Sequence, residues 1–457
     1  MSRARDNRGL LTALFFAFFA VLMFAAVLRG NVFLFSTDDN IASTQARQSL
    51  LRGGWLTRWN DSELLGQYDT LAFCWTHLLL YILPARSFVN WIHAIDLALA
   101  SALLCALLRK LGISPLAAVF GALTALWVGS NFTLAYAGHI GKFEVLLWAA
   151  CALWLIEIAV RRSSVPAGLL AGGAIGGMFQ LQPDVALFFA MLIGPYAVYA
   201  CWRENRFVPR AFIRTFAPMT LTAALMVLPV FLSQSRLNLS NVAATDTERP
   251  LEKWNFCTQW SWPPDETIDF VAPGYMGWRT GEPDGPYWGQ MGRSAGWEQT
   301  RQGFMNFKLE NQYLGVMPIV FAMFAVAWAL RGSGFRVQGL DGEGGRRSVE
   351  GGGDGRSTTP THPRTHTPTP FRTRSDRRTA VVFWAAATLI ALLLSFGKFF
   401  PLYALFYKLP VVNNIRNPNK FLQVFQLALG ILAAYGIDIA SKCADRKASG
   451  GSSIPAR

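Results

Sequence analysis

Ten apolar blocks punctuate the chain, and each is about as long as a bilayer is thick. They lie near residues 10–28, 88–108, 115–137, 143–160, 165–182, 185–201, 211–233, 313–330, 380–396 and 421–437. A helix needs roughly 17–25 apolar residues to cross the hydrocarbon core. With no water there to satisfy backbone N–H and C=O groups, runs of this length must be helical. The expected fold is therefore an all-α polytopic membrane protein of about ten transmembrane helices. The composition agrees: 52% of the 457 residues are hydrophobic and 15% are charged. The first block, "LLTALFFAFFAVLMFAAVL", follows the basic leader "MSRARDNR" without a small-residue cleavage site, so it reads as a retained anchor.

Charge sets the orientation. The net charge of +14 comes from Arg and Lys flanking apolar blocks, as at membrane edges, and does not call for nucleic acid. With the N-terminus inside, "RK" (109–110), "RRSS" (161–164), "WRENR" (202–206), residues 331–379 and the tail are cytoplasmic. Together with the leader they hold more than half of the 42 Lys and Arg, as the positive-inside rule requires. The run "LAFCWTHLLLYILP" (71–84) is too short to span and reads as an interfacial or re-entrant helix.

Three parts follow. Residues 1–330 form a membrane domain with external loops 29–87 and 234–312, expected to carry short helices. Residues 331–379, rich in Gly, Arg, Thr and Pro, read as a disordered cytoplasmic linker. Residues 380–457 supply the last membrane helices and a short tail. The six cysteines show neither C-x-x-C nor zinc spacing, and nothing specifies a Cys74–Cys257 bridge. Gly168, Gly172 and Gly176 recur at four-residue spacing, which suits close helix packing.

The polar residues are more informative than the spans. Asp38 and Asp39 follow the first block. "AYAGHIGKFE" puts His139, Lys142 and Glu144 between the third and fourth, and "QLQPDV" puts Gln182 and Asp184 between the fifth and sixth. "LPVVNNIRNPNKF" puts Arg416 and Lys420 before the last. In the orientation above, all four groups emerge outside. Taken singly, each has an ordinary explanation: a solvated loop, a snorkelling lysine or turn chemistry. Asp96 is different, because a carboxylate within a span needs a partner or a cavity. The loop 234–312 carries six tryptophans, Trp260 and Trp262 among them. Their rings suit sugar stacking, an interfacial belt or a small core.

The motifs "STDD", "GHIGKFE", "PPDETIDFVAPGYMGW", "NQYLGVMPIVFA" and "SFGKFFPLYALFYKLPVVNNIRNPNKFLQVFQLALGILAAYGID" give the chain a resemblance. It resembles the YfhO-like family of bacterial membrane proteins, in the GT-C superfamily of glycosyltransferases. That resemblance implies an enzyme of the bacterial cytoplasmic (inner) membrane, transferring a sugar from a polyprenyl-phosphate carrier to a cell-envelope acceptor outside. It implies an acidic residue of the first external loop as base, here Asp38 or Asp39. The two acids together suit a divalent metal, Mg or Mn. His139, Lys142, Arg416 and Lys420 are then candidates for the donor phosphate. Glu144, Gln182, Asp184, Trp260 and Trp262 are candidates for acceptor or sugar. Family members continue past the "AAYGID" span, whereas this chain stops at Arg457, which keeps a non-catalytic truncated scaffold in view. A lipid or solute transporter is the other reading.

Overall fold

A computed structural model describes residues 2–29, 32, 41–53, 59–60, 67–68, 75–234, 250–277, 287–291, 312–331, 374–409 and 412–450. Asp38, Asp39, Cys74 and most of the 331–379 linker lie outside these residues.

Every expected apolar block is helical. The first forms α1 (Ser2–Met23) and a short continuation α2 (Ala25–Leu28); α3 (Ile41–Gly53) and α4 (Trp75–Ile82) follow before the second block. The membrane bundle continues as α5 (Ala85–Lys110), α6 (Pro115–Leu126), α7 (Gly129–Tyr136), α8 (Ile140–Arg162), α9 (Val165–Leu181), α10 (Pro183–Asn205) and α11 (Pro209–Gln234). After α12 (Pro250–Thr258) come α13 (Val316–Leu330), α14 (Arg374–Ser395), α15 (Pro401–Tyr407) and α16 (Phe421–Gly450). Proline opens α6, α10 and α11, where its missing N–H costs nothing and its fixed φ suits the first turn.

Six helices, α5, α8, α10, α11, α14 and α16, are long and apolar enough to cross a membrane. The pair α6–α7, bent by 46° at Trp127–Val128, makes a seventh. The apolar parts of α1, α9 and α13 are shorter, at 10–17 residues. The protein is thus a polytopic helical membrane protein. α4, with eight residues, extends only about 12 Å and cannot span. One departure from all-α is a two-residue pairing of Trp59 with Tyr68 and Asn60 with Gln67. The linker's end is helical: Arg374–Thr379 belong to α14, where Arg377 donates to the Gly112 carbonyl and Arg378 to the Ala329 carbonyl of α13.

Burial orders the bundle. The most apolar window of α16 is 83% buried and that of α11 is 17% buried, so α16 is the central post and α11 a peripheral helix facing lipid. The glycine stripe packs α9 on α11: a Cβ at Gly172 would meet the Met219 carbonyl oxygen, and one at Gly176 the Met226 side chain. Close backbone approach is what small residues provide in lipid.

The bundle has two chemically distinct ends. At one, buried Glu157 accepts from Arg161 (2.8 Å), Arg203 (2.7 Å) and Tyr196 (2.6 Å). At the same end Asp438 holds Arg377 (2.5 Å), Lys442 (2.6 Å) and the Ser114 N–H (2.8 Å), and Arg377 also reaches the Gly112 carbonyl. These bonds knit together the basic segments read as cytoplasmic. Over the other end sit α12 and the 3-10 turn Pro264–Phe270. Trp262 stacks on Phe270 and Phe270 on Phe425 of α16. Glu266 accepts there from Tyr287 and from the Gln290 and Met291 N–H groups, fixing this cap.

Candidate functional site

Under that cap, at the end remote from the basic loops, lies a polar cleft of about 580 Å³ including its open mouth. Three segments build it. The bent stretch α7 and the turn into α8 bring Ser130, Leu134, His139 and Lys142; the turn before α16 brings Asn417, Asn419 and Lys420. The first turns of α16 add Gln423 and Gln426, and Gln312 closes one side. The N-termini of α8 and α16 both open onto the cleft, so their dipoles favour an anion there.

The hydrogen bonds fix part of the lining. Lys142 Nζ lies 3.3 Å from His139 Nε2. An ammonium only donates, so in a Lys142–His139 hydrogen bond that ring nitrogen is the acceptor. Gln426 donates to Ser130 (2.9 Å) and Gln312 (3.0 Å), bracing α16 against α7 beyond the helix break. Lys420 forms an ion pair with Asp184. Asp184 is held by Gln182 Nε2 (2.9 Å) and the Val185 N–H (2.8 Å) at the start of α10. Asn417 Oδ1, Asn419 Oδ1 and Gln423 Nε2 are buried without a hydrogen-bond partner among the described residues. Rotating such an amide exchanges donor for acceptor, so each is suited to a hydroxyl or a phosphate oxygen. The cleft therefore combines two lysine side chains, an imidazole and three amides that each carry an unpartnered polar atom.

The structure gathers some of the expected residues and separates others. His139, Lys142 and Lys420 line the cleft, with Asp184 and Gln182 behind Lys420. Glu144 turns away: it is buried on the far side of α8, where it accepts from Thr76 of α4 (3.1 Å). The structure therefore does not bring Glu144 together with the cleft residues. Arg416 is exposed, its guanidinium 3.7 Å above the Phe256 ring, and it stands apart from the residues that line the cleft. Trp260 and Trp262 are 5% and 0% exposed and serve as core, offering no ring face to a sugar. Asp38 and Asp39 lie outside the described residues. Among the described residues no group of three or more His, Cys, Asp or Glu is placed to hold a metal.

Sequence reasoning missed Ser130, Gln312, Asn417, Asn419, Gln423 and Gln426. The two asparagines stand in the same segment as Lys420. Gln423 and Gln426, three residues apart in the otherwise apolar first half of α16, carry a readable signal: two amides on one helix face need a polar neighbour. Compared with protein-family models, curated proteins and solved structures, the chain matches none.

Proposed function

We propose that this protein is a glycosyltransferase of the bacterial cytoplasmic membrane, moving a sugar from a polyprenyl-phosphate carrier to a cell-envelope acceptor on the outer face. The observation that carries the reading is the cleft itself. Lys142 and Lys420 stand at two helix N-termini, with unpartnered amides beside them, where membrane helices end. A lipid phosphate needs cations at headgroup depth, and a sugar needs fixed amides. The leaving phosphate gains charge as the glycosidic bond breaks, and preorganised cations and dipoles stabilise it. His139, beside Lys142, is placed to accept a hydrogen bond from a sugar or acceptor hydroxyl once Lys142 turns to phosphate. Asp38 or Asp39, in the loop that follows α2, is the proposed base for the acceptor hydroxyl, with the other acid or a divalent cation tuning it. The resemblance to YfhO-like GT-C enzymes supports the same assignment. The test is transfer from a panel of polyprenyl-phosphate sugars by purified protein, with and without EDTA. Transfer from at least one donor is expected; inactivity across the panel, in protein that binds polyprenyl phosphate, would remove the enzyme reading.

One observation favours a second reading, a transporter. The break between α6 and α7 is lined by polar contacts on two sides: Trp127 donates to Ser101 on α5 (2.8 Å), and Ser130 meets Gln426 on α16. Interrupted helices at depth are a feature of transport sites. Uptake of a labelled lipid or solute by proteoliposomes, without chemical change, separates it from the first.

A further inference from the structure

Asp96 lies near the middle of the 26-residue α5, and His93 stands three residues before it on the same helix face. Each is 1% exposed. Among the described residues, neither carboxylate oxygen of Asp96 and neither ring nitrogen of His93 makes a hydrogen bond. The Val89 carbonyl, one turn earlier, approaches the ring without reaching hydrogen-bond geometry. Phe143 of α8 meets the His93 ring edge-on at 5.1 Å, and Phe24 stacks on it at 6.4 Å. The next residue of α8, Glu144, is also 1% exposed and lies within electrostatic reach of Asp96.

The elements packed on α5 supply little else that ionises. The apolar part of α1 (residues 9–23), α2 and α6 carry no charged residue. On α3, Arg47 and Arg52 are exposed, and on α4 His77 is half-buried. On α8, Lys142 turns to the polar cleft, while Arg86, Arg109 and Lys110 stand at the two ends of α5 itself. A carboxylate ionised inside a bilayer without a counter-charge is strongly unfavourable, while the neutral acid is far less so. The two acids are not equivalent. Glu144 has the Thr76 hydroxyl as donor (3.1 Å) and stands close to the positive end of the α8 dipole. Asp96 has neither.

We propose that Asp96, Glu144 and His93 form a proton-binding site within the membrane, in which Asp96 holds the proton and Glu144 is its ionised partner. Glu144 acts on that proton through its field, and the His93 ring, one turn from Asp96 on the same helix face, is the neighbouring acceptor. Glu144 is two residues from Lys142, so the proton site and the polar cleft share the first turns of α8. The inference is independent of what the cleft binds.

Infrared spectra of the purified full-length protein in lipid nanodiscs test it. Near neutral pH the wild type should show the carbonyl stretch of a protonated carboxylic acid, lost in Asp96→Asn and moved in frequency in Asp96→Glu. The band should disappear on alkaline titration. In Glu144→Gln, with the neighbouring negative charge removed, it should disappear at lower pH. A wild-type spectrum without the band, or one whose band survives unchanged in both Asp96 variants, overturns the proposal. Because the wild type alone can fail the test, a misfolded variant does not decide it.

Discussion

Lys420 and Asp184 are separated by 236 positions in sequence and joined at the mouth of the cleft. If Lys420 is a phosphate ligand, Asp184 competes with the ligand for it, and the two residues must act with opposite sign. Lys420→Met removes the ammonium and keeps most of the stem. A hydrogen bond between charged groups contributes about 1.5–3 kcal/mol, so polyprenyl phosphate should bind about 10- to 150-fold more weakly. Asp184→Asn frees Lys420 from its carboxylate and should tighten binding. The side chains are 13% and 24% exposed, so the pair is neither a surface bridge nor sealed. In Lys420→Met, Asp184 keeps its bonds to Gln182 and Val185, which limits the loss of stability to about 1–3 kcal/mol. That is below the roughly 3–5 kcal/mol of a fully stranded charge. Binding is read from the tryptophan fluorescence of purified protein titrated with short-chain polyprenyl phosphate, and stability from thermal unfolding in the same detergent. Weaker binding in both variants, or unchanged binding in Lys420→Met, would refute the reasoning and make the pair a structural clasp.

Three further outcomes follow from the geometry. Gly172→Leu should prevent α9 from seating on α11 and abolish recovery of monodisperse protein. Gly173→Ala, with nothing within 4 Å of its Cβ, should be tolerated. Arg416→Lys should leave transfer within about twofold and cost at most the roughly 0.5–1 kcal/mol of an exposed cation–π contact, seen in thermal unfolding. A large loss of transfer would return Arg416 to the phosphate site. In intact cells an impermeant maleimide should label Leu251→Cys, at a position 70% exposed, while Cys257 stays protected by burial until the protein unfolds. Labelling of Leu251→Cys only after lysis would invert the orientation.

The membrane helices were legible because the bilayer imposes length and polarity so strongly. Each apolar block became a helix, and the described part of the short run 71–84 holds only the eight-residue α4. What sequence alone could not show was direction. His139, Lys142 and Glu144 fall within six residues, yet the helical turn sends Lys142 into the cleft and Glu144 towards Thr76. The placement of Trp262 and Arg416 was hidden for a related reason. An aromatic ring or a guanidinium is compatible with both core and site, and only its neighbours, Phe270 and Phe256, decide. The amides of Asn417, Asn419 and Gln423 were overlooked because uncharged polar residues leave no mark on charge patterning. Their significance comes from burial without partners.

The central claim is that this cleft serves sugar transfer with an acid of the first external loop as base. The most direct measurement is transfer from the active polyprenyl-phosphate donor by wild type, Asp38→Asn, Asp39→Asn and the double variant, with donor binding followed in parallel. General-base assistance is worth about 10²–10⁴ in rate. One single variant should lose turnover in that range while still binding donor, and the other should lose less. Full transfer activity in the double variant would contradict the account.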